Sequence, residues 1–464
     1  MREIGATYRL QLHPGFGFDD AAAICAYLKQ LGVTHVYFSP YLQAAPGSTH
    51  GYDVVDPGRV NQELGGAEAH ARLLESLKRH GLGQVLDIVP NHMAISGRNN
   101  AWWWDVLENG PSSAYASYFD IEWQSPEEKL RHKILLPVLG DHYGRVLSAG
   151  QIRLEREGGS FVFHYADHVF PAAPRSMAPI LANAAQRIRS DYLAFLADSL
   201  ARLPEAGNTD GAAVAERHRD KEVVRGLLAR LCAESTDVAR SIDVCVDLAN
   251  RDPDTLDQLL ERQNYRLSFW RTAARDLGYR RFFDINTLVG LRMEQQSVFD
   301  DTHRLVLEWV RTGMLDGLRV DHPDGLRDPE GYFDRLHNAA PDTWIVAEKI
   351  LEPGEDLRRS WMIAGTTGYD FTNLVGGIFI DRRGEEPLTQ FYQEFTGEMD
   401  SWQEVALKSK LLVLRDNLGS DLNRLTAMFV TICEHHRDNR DFTRHDIHQA
   451  LRDLVSCFPV YRTY

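Results

Sequence analysis

The stretch Asp316–Ile350, DGLRVDHPDGLRDPEGYFDRLHNAAPDTWIVAEKI, holds two short apolar runs that each stop on an acid: GLRV on Asp321 and WIVA on Glu348. Strand side chains alternate between faces, so Arg319 and Asp321 share one side while Leu318 and Val320 share the other. Between the runs, DPEGYFDRLHNA begins on Asp328 with Pro329 next, and its Tyr332, Phe333 and Leu336 fall on one helical face. The unit reads strand, helix, strand. In parallel units of this kind ligands gather at the carboxyl ends of the strands, where Asp321 and Glu348 lie. An acid after an apolar strand is often only the first polar residue of a loop. Two acids at the same end of adjacent strands, one with an arginine two residues before it, favour chemistry. Arg319 is expected to keep Asp321 ionised through a charge-assisted pair, and burial behind Val346 and Ala347 is expected to push Glu348 the other way. An ionised and a protonated carboxyl side by side suit the cleavage of a glycosidic bond.

The same rhythm runs through the N-terminal part. ATYRLQL reads as a strand, DDAAAICAYLKQLG as a helix closed by Gly32, VTHVYFSP as a strand, AEAHARLLESLKRHG as a helix and QVLDIVP as a third strand. Repeated strand–helix units predict an α/β protein with a parallel sheet, whose closed form is the (β/α)8 barrel. The expected organisation is barrel strands 1–3 in residues 1–90, an inserted region in 91–296, strands 4–6 in 297–383 and a helical subdomain in 384–464. The sixth strand is placed in AGTTGYDF. The insert carries the strand-like FVFHYADHVF and the polar helix DGAAVAERHRDKEVVRGLLARLCAE; DLNRLTAMFVTICEHH and TRHDIHQALRDLVSCF are the late helices. No convincing seventh or eighth strand is found.

Composition removes several function classes. Of 464 residues, 51 are Lys or Arg and 66 Asp or Glu, giving a net charge of −15 without a basic stripe of the kind nucleic acid needs. MREIGATYRL has no apolar signal core, and no run approaches the ~18 apolar residues of a membrane span, so the expectation is a cytoplasmic protein with no membrane partner. The five cysteines are far apart and never spaced C-x-x-C, which reads as reduced thiols. CEHHRDNRD does not match a zinc spacing, and phosphate-binding glycine loops are missing. No cofactor and no required metal are expected.

Further candidates surround the acid pair. DIVPNH places Asp87 inside an apolar strand, as a structural partner for Arg319, and His92 just past its end, either in a simple turn or as a donor to a substrate hydroxyl. PGSTHGYDVVDP offers Tyr52 as a flat face for a sugar ring, with Asp53 beside it. In NNAWWWDVLENGPSSAYASYFDIEW three consecutive tryptophans cannot all face one way on a helix, so at least one belongs to a core; Trp103 is taken as a substrate contact. His322 and Lys349, which directly follow the two acids, complete the expected binding set with Arg319.

DIVPNH, GLRVDH and the glutamate of WIVAEK, in this order and on successive strands, resemble the α-amylase superfamily of glycosidases and transglycosylases. The resemblance implies Asp321 as nucleophile, Glu348 as general acid/base, Arg319 as the arginine holding the nucleophile, His92 as a hydroxyl-binding residue and Tyr52 as the stacking platform. TYRLQLHPGFGFDDA, HVYFSPYLQAAPGSTHGYDVVDP, WWWDVLENGPSSAYASYFDIEW, YRRFFDINTLVGLR, GLRVDHPDGLRDP and GTTGYDF are similar to members that isomerise maltooligosaccharides. Those members turn the reducing-end α-1,4 linkage into an α,α-1,1 linkage. Asn91 matches a calcium-binding position of many amylases, without a complete set of oxygen ligands. The family's third acid, an aspartate after a histidine at the end of strand 7, has no match: His445-Asp446 sits in a helical pattern and YADHVF has the order reversed. The expectation is that the missing strands and acid come from further sequence or a second chain. The alternatives are an α-1,4-glucan hydrolase and a catalytically incomplete glucan-binding fragment.

Overall fold

The computed structural model describes residues 4–95 and 97–464. Met1–Glu3, the start of the stretch read for a signal, lie outside the described residues. By internal contacts the chain divides into two compact units, one of residues 1–94, 281–416 and 445–464, the other of residues 95–280 and 417–444.

The first unit is built on six parallel strands: β1 (Thr7–Leu10), β2 (His35–Phe38), β3 (Gly83–Ile88), β4 (Gly317–Val320), β5 (Trp344–Ala347) and β6 (Gly365–Thr366), hydrogen-bonded in that order. Every residue of β3 and β4 is buried, as expected of strands covered on both faces. Two of those buried residues are charged, Asp87 and Arg319, and the register sets them directly opposite each other. Neither ion would be stable in a dry sheet alone; side by side each is the other's compensation. The helix Pro329–Ala339 that joins β4 to β5 starts as its sequence implies, with the Asp328 carboxylate accepting from Gly331 N at 2.9 Å and proline in the first turn. Tyr332, Phe333 and Leu336 are fully buried along it.

Several elements differ from the sequence reading. The first helix breaks at Ile24 into Phe18–Ala23 and Cys25–Gln30. β6 is two residues long, because Gly368 at φ 96° turns the chain into the helix Tyr369–Ile378, so the Tyr-Asp-Phe of AGTTGYDF is helical. Residues 281–296 fall in the first unit although they were placed in the insert: Leu288–Gly290 pair antiparallel with His92–Ala94. Residues 417–444, placed in the late helical region, fall in the second unit. The helices Tyr369–Ile378, Glu385–Thr396 and Trp402–Asp416 leave large apolar side chains in solvent, among them Ile378, Phe395 and Trp402.

The second unit combines an antiparallel sheet (Ile152–Glu157, Ser160–Tyr165, His168–Pro171), a parallel pair (Ile134–Leu139 with Tyr265–Phe269) and helices that include Ala101–Asn109, Ala178–Ile188 and Gly211–Glu234. FVFHYADHVF is two strands, turned at Ala166 with φ 47°. The late stretch DLNRLTAMFVTICEHH forms the helix Gly419–Glu434.

Candidate active site

At the carboxyl ends of β3, β4 and β5 three carboxylates meet one guanidinium. Arg319 Nη1 donates to Asp87 Oδ1 at 2.6 Å and to Asp321 Oδ1 at 2.7 Å, while Nη2 lies 2.9 Å from Glu348 Oε1. Asp87 and Asp321 are buried, and the Glu348 side chain keeps 25 % of its surface. The other oxygen of Asp87 accepts from the Tyr37 hydroxyl at 2.9 Å and the Tyr52 hydroxyl at 2.6 Å. Arg9 Nη2 in turn donates to Tyr52 Oη at 3.0 Å. Both oxygens of Asp87 are thus engaged, one by Arg319 and the other by two tyrosine hydroxyls, as suits a structural counter-ion.

The electrostatics depart from the sequence expectation. Asp321 was to be held ionised by Arg319. Instead burial pushes its carboxyl well above the usual range; Arg319 pulls against this, and the charges of Asp87 and Glu348 add to the rise. One guanidinium shared by three acids does not offset the desolvation of Asp321. Burial also raises Asp87, with Arg319 and the tyrosine hydroxyls opposing it. The expectation of a buried Glu348 likewise fails, since it is the most open of the three.

The remaining candidates sort into two groups. Tyr52 is tied by its hydroxyl into the carboxylate cluster, and its ring lies 6.0 Å from the Arg319 guanidinium. His92 is buried, with its ring 4.7 Å from that of Phe282 and the Asn91 amide 3.3 Å from its Nδ1. His322 adopts the left-handed conformation at φ 40°, its backbone N–H donates to Glu348 Oε2 at 3.2 Å, and its ring contacts Phe282 and Phe283. Of these three His322 touches Glu348 directly, Tyr52 joins the cluster through Asp87, and His92 meets His322's ring neighbour Phe282.

Three others make none of these contacts. Asp53 accepts from Ser48 Oγ at 2.5 Å and lies 3.8 Å from His50 Nδ1, so it shapes its own loop. Lys349 is buried in an ion cluster, 2.9 Å from Glu355 and 3.3 Å from Asp324, with no face left for substrate. Trp103 is 2 % exposed in the core of the second unit, edge-on to Phe119 and Tyr279. Its ring faces are covered by protein. Among the described residues no group of three or more His, Cys, Asp or Glu is arranged to hold a metal ion, and no helix is long and apolar enough to cross a membrane.

Known proteins resemble the chain in both sequence and structure. The α-amylase catalytic-domain family matches residues 24–144. A protein of Mycobacterium tuberculosis (strain H37Rv) described as a putative maltooligosyl trehalose synthase is 34 % identical over 427 residues, which is 90 % of this chain and 44 % of that protein. The solved maltooligosyltrehalose synthase of Arthrobacter ramosus superposes with a TM-score of 0.73 at 35 % identity, over 99 % of this chain and 48 % of that one. The structure described as a hypothetical maltooligosyl trehalose synthase of Sulfolobus tokodaii does so with 0.70 at 30 % identity, over 100 % and 49 %. In sequence and fold the chain is thus similar to α-amylase catalytic domains over residues 24–144 and to maltooligosyltrehalose synthases over nearly all of its length. It spans about half the length of the relatives it matches.

Two parts of this candidate site were not found from the sequence. Arg9 and Tyr37 are neighbours in register on β1 and β2 and both reach the cluster through Tyr52 and Asp87. The alternation of Arg9 and Gln11 with leucines in TYRLQL was the available signal. The second part is a clamp from Arg462 and Tyr464. Arg462 Nη1 donates to the carbonyls of Asp324 at 2.7 Å and Leu326 at 2.6 Å, and Tyr464 Oη to Asp324 Oδ1 at 2.5 Å. The loop it grips follows Asp321 directly. Nothing in the local pattern of FPVYRTY announces this.

Proposed function

We propose that these residues carry the catalytic carboxylates of an intramolecular transglycosylase, acting in the cytoplasm, that converts the reducing-end α-1,4 linkage of maltooligosaccharides into an α,α-1,1 linkage. The observation that carries the reading is the pair Asp321 and Glu348, at the ends of adjacent parallel strands, held by the two Nη atoms of one arginine. A retaining mechanism needs two carboxyls ~5–5.5 Å apart, and a shared guanidinium keeps them close.

Asp321 attacks the anomeric carbon of the penultimate glucose while Glu348 gives its proton to the departing O4 of the reducing-end glucose. A covalent glycosyl ester results. The freed glucose turns in place; its anomeric hydroxyl gives a proton to Glu348 and attacks the anomeric carbon bound to Asp321, whose carboxylate leaves. Two inversions leave the α configuration, and the new bond is α,α-1,1. With Asp321 raised by burial, the free pair retains a proton readily; the productive state has it on Glu348 and the charge on Asp321, which Arg319 stabilises. Tyr52 offers its ring to the attacked sugar, and His92 and His322 lie where hydroxyls of that sugar would be bound. A held glucose outcompetes water by its effective molarity, provided the pocket stays closed.

The six strands fit part of an eight-stranded barrel interrupted after β3 by residues 95–280. β6 has no strand on its far side among the described residues, and the helices beyond it expose apolar faces. In this reading the last two strands and a third acid are supplied by polypeptide outside the 464 residues, in the same or a second chain. Incubation of the complete protein with maltopentaose tests the function: a non-reducing product of unchanged mass supports it, whereas reducing fragments indicate a glucan hydrolase. The 464 residues alone are expected to show no turnover.

A further inference from the structure

We infer that the second unit holds a binding site for a phosphate group, centred on Arg217, in a cleft that the glucan chemistry does not use. The cleft has a volume of about 500 Å³ and is lined by Arg175, Arg217 and Arg262 against one acid, Glu205. Three cations facing one anion stand out in a chain of net charge −15.

Arg217 is the reason to expect a ligand. It sits within the helix Gly211–Glu234, is 2 % exposed, and donates only to neutral oxygens: Nε to Asn109 Oδ1 at 3.4 Å and Nη1 to the Pro204 carbonyl at 2.6 Å. No carboxylate among the described residues forms an ion pair with it. The nearby acids are engaged elsewhere. Glu108 bonds Lys221 at 2.7 Å and also Arg225, and Asp105 bonds Ser113 at 2.5 Å and Lys221 at 3.5 Å. Burial works against the Arg217 charge, Glu108 favours it, and Arg175 disfavours it. A buried guanidinium without a counter-ion is costly, and an anion in the adjoining cleft removes the cost.

The other walls add to the same potential. Arg175 lies in the turn Pro174–Met177, 3.3 Å from Glu205, and Arg262 follows the helix Pro253–Leu260. Ala178 and Pro179 bring the N-terminal end of the eleven-residue helix Ala178–Ile188 to the cleft, whose dipole is positive there. Guanidinium groups from three separate segments suit a tetrahedral oxyanion with several acceptors better than a carboxylate with two. The cleft is roomier than orthophosphate needs, so it admits a phosphate monoester of a small sugar as well as the free ion.

The test uses the full chain, titrated calorimetrically with inorganic phosphate and with glucose 6-phosphate, beside sodium chloride at equal ionic strength. Saturable binding with Kd on the order of 1 mM or tighter is expected, with a rise in Tm that chloride does not give. Tighter binding of the sugar phosphate than of phosphate identifies a monoester site; equal binding identifies the free ion. Arg262→Gln, at an exposed position, should weaken binding about tenfold without lowering the Tm measured in chloride. Arg217→Met should abolish binding. No saturable binding of either probe, a chloride shift of equal size, or undiminished binding by Arg262→Gln would overturn the proposal.

Discussion

Arg319 and Arg217 are both almost fully buried, and their surroundings are opposite. Arg319 faces three carboxylates, Arg217 none. Around the first, burial raises the carboxyls of Asp321 and Asp87, and at Asp321 the neighbouring negative charges add to the rise. Around the second, no carboxylate among the described residues forms an ion pair with the guanidinium, which is the ground for the proposed anion. A buried arginine is therefore informative only together with the count of acids it touches.

The largest way to break this contrast is Asp321→Asn. In the complete enzyme it should reduce activity to well below a tenth of wild type, tenfold being only about 1.4 kcal/mol, with glucan binding kept within a few-fold. Its stability should move the other way. The folded pKa of Asp321 lies above its unfolded value, so the stability linked to its proton is present at low pH and is lost as pH rises beyond the ordinary carboxylate range. Asn cannot titrate; the variant's Tm advantage should be absent in acid and grow toward neutral pH. A Tm difference that stays flat with pH would show that Asp321 is not raised.

Next in size is Arg319→Met, which strands three carboxylates. It should cost about 3–5 kcal/mol at neutral pH in urea unfolding, shrinking in acid as those groups protonate. Arg217→Met, which strands none, should cost far less; equal losses would erase the contrast.

The clamp gives a smaller effect. Arg462→Ala leaves the Asp324 and Leu326 carbonyls without their donor, about 1–3 kcal/mol locally. Faster amide exchange confined to residues 322–327 and a lowered kcat at near-constant KM should follow. Unchanged exchange there would show that Arg462 does not hold the loop.

Smallest is Tyr52→Phe, which removes the hydrogen bond to Asp87, about 0.5–1.5 kcal/mol, but keeps the ring. Its kcat/KM should stay near wild type while Tyr52→Ala loses it. Equal loss in both would move the role of Tyr52 from stacking to holding Asp87.

The acid pair was legible because period-two alternation and strand ends are local properties: Arg319, Asp321 and Glu348 could be placed from a dozen residues each. Lys349 was misread because its partners Asp324 and Glu355 come from loops whose path is tertiary. Trp103 was misread because three tandem tryptophans do not reveal which one faces a core. The rise in Asp321 comes first from burial and then from the charge of Asp87, 234 positions away in sequence, and no local pattern encodes either. β6 was legible as a strand but not as a two-residue one, since the left-handed Gly368 ends it.

The pairing of His92–Ala94 with Leu288–Gly290 also bears on how the chain folds. Asp87 and Arg319 are 232 residues apart, so β3 and β4 cannot zip together without closing a very long loop. Loop-closure entropy grows only logarithmically, by about 0.6 kcal/mol for each doubling of length, but the search for such distant contacts slows folding. Ala94 against Leu288 draws the excursion shut at its base. With that stem in place, the chain left between β3 and β4 is only residues 89–91 and 291–316, which lowers the entropy cost of bringing the two strands together.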